Sequence, residues 1–142
     1  MKKQLIKISI VVCVGFLIIS FIHPFTKRFI QLYVLRNQED LFQYVQFVMN
    51  DSPPQPLKYN GWYVYYYQDD VVEFCTNSLG LVPSTTYKGF YYCKDDKPHG
   101  FQNVPVEFIK NQTGWLWTES DGDNIQYTEQ ITEHWYWYEA KF

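Results

Sequence analysis

Between Ile8 and Ile22 the chain carries no charged side chain. A run of that kind must leave water, and its length decides how. Counting Leu5, and Lys7 with its ammonium drawn to the interface, the apolar stretch reaches 18 residues. That is near the lower limit for crossing a bilayer core. A cleaved secretory signal shares the basic start Met1-Lys2-Lys3. Cleavage requires small residues three and one positions before the cut, and Ala is absent before Ala140. A cut after Ser20 puts bulky Ile18 at the first of those positions. The sequence therefore reads as an uncleaved anchor over residues 1–28 with basic flanks, secretion after cleavage being the alternative.

Lys2, Lys3 and Lys7 precede the run, and Lys27 and Arg28 follow it. The slight basic excess on the N-terminal side places the N-terminus in the cytoplasm and the rest outside it, in a single pass through the cell membrane. His23-Pro24 ends the helix there. Phe25, Phe29, Tyr33 and the Lys27-Arg28 pair suit the headgroup region.

Charge divides at the same boundary. Residues 1–28 hold five basic and no acidic residues; residues 29–142 hold seven basic and fifteen acidic, a net −8. A domain of that charge is a poor partner for phosphate backbones, so no nucleic-acid role is expected. The membrane, through residues 5–22, is the one partner read directly.

Residues 29–56 read as a juxtamembrane helical segment and Pro-rich linker. Asn37 is the expected N-cap, Glu39 and Asp40 suit a first turn, and Leu41, Tyr44, Val45 and Val48 form one apolar stripe. Pro53, Pro54 and Pro56 stop the helix. Residues 57–142 then read as an aromatic-rich antiparallel β domain. Strands are expected at Tyr59–Tyr67, Val71–Thr76, Phe90–Lys94, Val104–Lys110, Trp115–Glu119, Ile125–Ile131 and Glu133–Lys141. The stretch Asn77 to Gly89 reads as the one connection long enough for a functional loop. The expected class is α+β: a transmembrane helix, a short amphipathic helix and an antiparallel meander of six to seven strands. An all-β sandwich or small barrel is the alternative.

Two cysteines fall in the domain. Strand parity places Cys75 and Cys93 on one sheet face, and adjacent antiparallel pairing would allow a disulfide in an oxidising compartment; two unpaired, partly buried thiols are the alternative. No His or further Cys stands at ligand spacing around the pair, so no metal site and no cofactor is expected.

The aromatic residues are the candidate binding groups. Along one strand Tyr63, Tyr65 and Tyr67 oppose Trp62, Val64 and Tyr66; along the last, Trp135 and Trp137 oppose Tyr136 and Tyr138. A one-sided sheet would carry polar residues on one of those faces. Tyr63, Tyr65, Tyr67, Trp135 and Trp137 are thus the candidate stacking platform for a protein or carbohydrate partner; the favoured arrangement has the helix cover one face and a folded-over sheet the other. The acidic turns Asp69-Asp70, Asp95-Asp96 and Asp121-Gly122-Asp123 read as solvated turn residues. No Gly-rich phosphate loop, nucleophile elbow or zinc-helix motif occurs. A thiol hydrolase would need Cys75 or Cys93 beside His99 or His134. Three functions stay open: a membrane-anchored extracytoplasmic binding domain, an accessory subunit of a membrane complex, and a small hydrolase.

Overall fold

A computed structural model describes residues 26–76, 79–81 and 84–142. The expected anchor lies outside them. Among the described residues no helix is long and apolar enough to cross a membrane.

Two helices precede the sheet: α1 (Lys27–Arg36) and α2 (Gln38–Asp51). They part at Asn37, whose side-chain amide donates to the Tyr33 carbonyl at 2.7 Å. Asn37 does stand at the N-cap position of α2, but its side chain makes no cap bond there. The amide instead closes the C-terminal end of α1. The expected α2 stripe is present: Leu41, Val45 and Val48 are fully buried, and Tyr44 stacks on Tyr59 with ring centroids 4.2 Å apart. Ile30 and Val34 give α1 its buried stripe.

The strands are β1 (Leu57–Tyr59), β2 (Trp62–Tyr67), β3 (Val71–Cys75), β4 (Leu79–Leu81), β5 (Ser84–Cys93), β6 (Ile109–Asn111), β7 (Gly114–Thr118), β8 (Ile125–Thr132) and β9 (Trp135–Lys141). They form one open antiparallel sheet in the order β1-β2-β3-β5-β9-β8-β7-β6, with β4 paired to β5. The class is α+β, as expected; the sheet is neither a sandwich nor a barrel. Nor is it a simple meander. A first meander runs from β1 to β5, a second returns from β6 to β9, and the β5–β9 pairing joins them.

Several strand boundaries differ from expectation. Asn60-Gly61, both at positive φ, split Tyr59–Tyr67 into the β1–β2 hairpin. Strand β5 begins at Ser84, six residues before the expected Phe90. Part of the expected functional loop, Asn77 to Gly89, is thus strand β4 and the first half of β5. Conversely, most of the expected strand Val104–Lys110 is irregular; only Ile109 and Lys110 pair, in β6. The true long connection is residues 94–108.

The two sheet faces have different covers. On the first, Trp62, Val64, Val72, Phe74, Phe90, Tyr92, Trp135 and Trp137 pack beneath the helices. Tyr33, expected at the headgroups, packs instead on Trp62 and Phe90, at centroid distances of 5.6 and 5.9 Å. Lys27 pairs with Glu129 on β8 and stands over the Trp137 ring at 5.1 Å. On the second face Val71, Tyr91, Cys93, Tyr136, Tyr138 and Ala140 form a separate core with Phe101. Its cover is the 94–108 connection, not a folded-over sheet.

Gly89 lets the two halves of the sheet close. It lies between Cys75 and Tyr138 in the register. A Cβ there would stand 2.0 Å from the Phe74 carbonyl oxygen and 3.0 Å from the Tyr138 ring and hydroxyl. Gly89→Ala is therefore expected to lower unfolding free energy by about 1–3 kcal/mol. Urea denaturation checks this; a loss below about 0.5 kcal/mol would mean the strands do not approach so closely.

Candidate functional site

Alternation along three strands puts seven tyrosines on the second face: Tyr63, Tyr65 and Tyr67 of β2, Tyr87 and Tyr91 of β5, and Tyr136 and Tyr138 of β9. Glu73 of β3 lies among them, opposite Tyr65 and Tyr91. It is 3% exposed. A carboxylate so placed must be hydrogen-bonded or neutral. Tyr138 donates its hydroxyl to Glu73 Oε1 at 2.9 Å, and the Gln102 backbone N–H donates to Oε2 at 3.1 Å. Burial outweighs both bonds and pushes the Glu73 carboxyl up to about 7. Burial also pushes the Cys75 thiol up to about 11 and holds the Tyr138 hydroxyl well above its ordinary value, with Glu73 adding to the effect.

Gln102 reaches Glu73 because the connection makes a tight turn at Phe101–Asn103, with Gln102 and Asn103 both at positive φ. Gln126 fixes the same turn. Its Oε1 accepts from the Phe101 N–H at 2.7 Å and its Nε2 donates to the His99 carbonyl at 3.1 Å. Beside this turn opens a cleft of about 210 Å³ walled by Tyr87, Phe101, Val104, Val106, Trp117 and Phe142. On the same face burial raises the Tyr65 hydroxyl, and the Cys75, Glu73, Tyr63 and Tyr87 groups raise it further.

The five expected platform residues are not brought together. Tyr63, Tyr65 and Tyr67 line up on the second face, each half-buried. Tyr65 stacks on Tyr67 with centroids 6.4 Å apart, and the Lys58 ammonium covers Tyr63 at 4.8 Å. Trp135 and Trp137 lie on the opposite face, 4% and 5% exposed, beneath the helices. Parity separates them: Trp137 pairs with Phe90 and Trp135 with Tyr92, both on the helix side.

The expected disulfide also needs correction. Parity does put Cys75 and Cys93 on one face, but both thiols are free. Cys75 pairs with Gly89 and Cys93 with Val71, at opposite ends of the β3–β5 ladder. Four residues of strand separate them, about 13 Å along the strand direction, beyond bonding reach. Burial pushes the Cys93 thiol up to about 12, so neither thiol is poised as the thiolate a hydrolase nucleophile requires.

The Asp95-Asp96 turn is more than solvated charge. Asp96 Oδ1 accepts from the His134 N–H at 2.6 Å, the Gln130 amide at 2.9 Å and the Tyr136 hydroxyl at 3.3 Å. It ties the start of the connection to the β8–β9 turn. Next to it Cys93, Asp95 and His99 bring one ligand atom each within 4.8 Å of one another, because the turn folds His99 back over Cys93. Asp121 and Asp123 are exposed in the β7–β8 turn, closed by the Glu119 N–H donating to the Asn124 carbonyl at 2.9 Å.

Because the folded protein holds the Glu73 proton more tightly than the unfolded chain, Glu73 contributes stability below its ordinary value of 4.5 that is lost as pH rises through about 7. Unfolding free energy is expected to fall by about 3 kcal/mol across that window from this group alone. Glu73→Gln should remove that slope and be the more stable protein at alkaline pH. Denaturant titrations of both proteins across the pH range test this; parallel profiles would refute it. No family model, curated protein or solved structure matches the chain.

Proposed function

We propose that the chain is a single-pass membrane protein whose domain outside the cytoplasm binds a partner on its tyrosine face. The observation carrying this reading is a shared sheet face. The half-exposed row Tyr63, Tyr65, Tyr67 lies on the same face as Tyr87, which walls an apolar cleft with Phe101, Trp117 and Phe142. Aromatic rings with hydroxyl edges offer stacking area and hydrogen bonds together. That pairing suits a carbohydrate or a protein segment with an apolar or aromatic anchor. Trp135 and Trp137 drop out of the platform, and Tyr87 and Trp117 replace them.

A second reading has its own support. Helix α1 begins at Lys27, five residues after Ile22, so an anchored domain would stand hard against the bilayer. Leu32 and Leu35 are each 49% exposed on α1. That arrangement favours an accessory subunit whose contacts lie in or beside the membrane.

Binding of the full-length protein in detergent to a panel of glycans and peptides tests the first reading. Tyr63→Ser with Tyr65→Ser is expected to weaken any specific ligand at least tenfold, about 1.4 kcal/mol, with the melting temperature little changed. A ligand bound equally by the double variant would place binding elsewhere. Exchanging residues 5–22 for an unrelated apolar span separates the readings: a binding domain keeps its function, an accessory subunit loses it. A reporter fused after Phe142 should be active only outside the cytoplasm, and cytoplasmic activity would overturn both the orientation and the site's access to external ligands.

A further inference from the structure

We propose that Cys93, Asp95 and His99 bind one divalent metal ion of the zinc type, independently of the tyrosine face. Three different donors converge there: a sulfur, a carboxylate oxygen and an imidazole nitrogen, all within 4.8 Å of one another. Such a borderline set suits Zn²⁺, which takes Cys, His and carboxylate ligands at about 2.0–2.3 Å. Tetrahedral bonding brings donor atoms to about 3–4 Å separation. The required closure is small, and Asp95 is exposed and able to adjust.

The backbone holds the outer members of the set. Cys93 ends β5 in register with Val71. The His99 N–H donates to the buried Tyr91 hydroxyl at 3.0 Å, and the His99 carbonyl accepts from Gln126. The imidazole is thus aimed from a fixed chain position.

The neighbouring amide decides which imidazole nitrogen is free. Asn103 Nδ2 donates to the Gln68 carbonyl at 2.9 Å, which turns Asn103 Oδ1 toward His99 Nδ1 at 3.0 Å. Oδ1 can only accept, so Nδ1 carries the proton. Nε2 then presents a lone pair 2.9 Å from Asp95 Oδ1. Two acceptors at that distance need a positive centre between them, either a second imidazole proton or a metal. An N–H from the far nitrogen to an oxygen acceptor is also the arrangement that orients metal-bound histidines.

The surroundings leave room for a fourth ligand. Asp95 and His99 line an open cleft of about 420 Å³ together with Asp70 and Lys94. Lys94 is engaged by Asp70 at 2.7 Å; Lys97 lies 4.0 Å from Asp95 Oδ2 and its backbone N–H donates to Oδ1 at 3.3 Å, which leaves Oδ1 a second lone pair for the ion. Three protein donors and a water complete a tetrahedral site with one exchangeable position. On binding, the Cys93 S–H bond breaks, its proton goes to solvent and the sulfur pair forms the metal bond. The weak bond from Cys93 Sγ to the Lys97 carbonyl, 3.0 Å, is given up.

Cobalt(II) titration of the reduced, metal-stripped full-length protein in detergent provides the test, since a cobalt–thiolate bond gives a charge-transfer absorption that carboxylate and imidazole do not. The expected result is that absorption saturating at one equivalent and displaced by Zn²⁺. Cys93→Ser should abolish it, and Cys75→Ser should leave it intact. Asn103→Gly, which suits the positive φ of that residue, should weaken binding at least tenfold by releasing the imidazole. A wild-type protein without the absorption would reduce the cluster to an Asp95–His99 ion pair. An absorption that survives Cys93→Ser, or is lost in Cys75→Ser, would place the metal elsewhere. Should Cys93→Ser not fold, loss of binding in His99→Gln with the circular dichroism of the wild type decides for the site, and retained affinity decides against it.

Discussion

The fold depends on keeping one irregular connection pressed against the tyrosine face. The strands at the centre of the sheet bury side chains on both sides, so each face needs a cover. The helices cover one face through an apolar stripe, a contact dominated by Val, Leu and Ile at no exposure. The other face is covered by residues 94–108, which contribute a single buried aromatic side chain, Phe101. Polar ties hold the rest: Glu73 to Gln102, Gln126 to Phe101 and His99, Asp96 to the β8–β9 turn. Buried hydrogen bonds specify position strongly because leaving any one partner unmade costs about 1–3 kcal/mol. The connection is therefore placed by direction rather than by area.

That distinction explains what was legible in the residues. The α2 stripe and most strands announce themselves by period, and local period is what burial on the nearest face produces. Parity correctly put Cys75 and Cys93 on one face, but parity is blind to register, and register put them at opposite ends of the ladder. The start of β5 was hidden because Ser84, Thr85 and Thr86 lack the aromatic signature; they are strand because β4 and β9 lie on either side. Val104 to Phe108 looked like strand because its valines and Phe are strand-forming residues, yet no partner strand is offered to them.

The site was the least legible part, for the same reason. Glu73 was one carboxylate among fifteen acidic residues in the chain, with nothing local to mark it as buried. What buries it is Gln102, 29 residues away, and Tyr138, 65 residues away. The platform failed on a related point: an aromatic residue on a strand signals burial against something but not on which side. Trp135 and Trp137 went to the helices. Tyr63, Tyr65 and Tyr67, near the edge strand β1, escaped full cover because the connection crosses the sheet nearer β5 and β9.

The candidate metal donors, the buried carboxylate and the apolar cleft all lie along this one connection. The Cys93, Asp95 and His99 donors stand where it leaves β5, Glu73 is capped at its central turn, and Val104 and Val106 wall the apolar cleft beyond. Lifting the turn would return Glu73 to water, where its carboxyl regains ordinary acidity, so opening and proton release are linked. A ligand that presses Phe101 and Val104 onto the sheet works in the opposite direction and favours the protonated carboxyl. Any group bound along these fifteen residues thus shares one position-determining element with the others. The strength of that sharing is limited by the difference in affinity each ligand has for the seated and lifted connection.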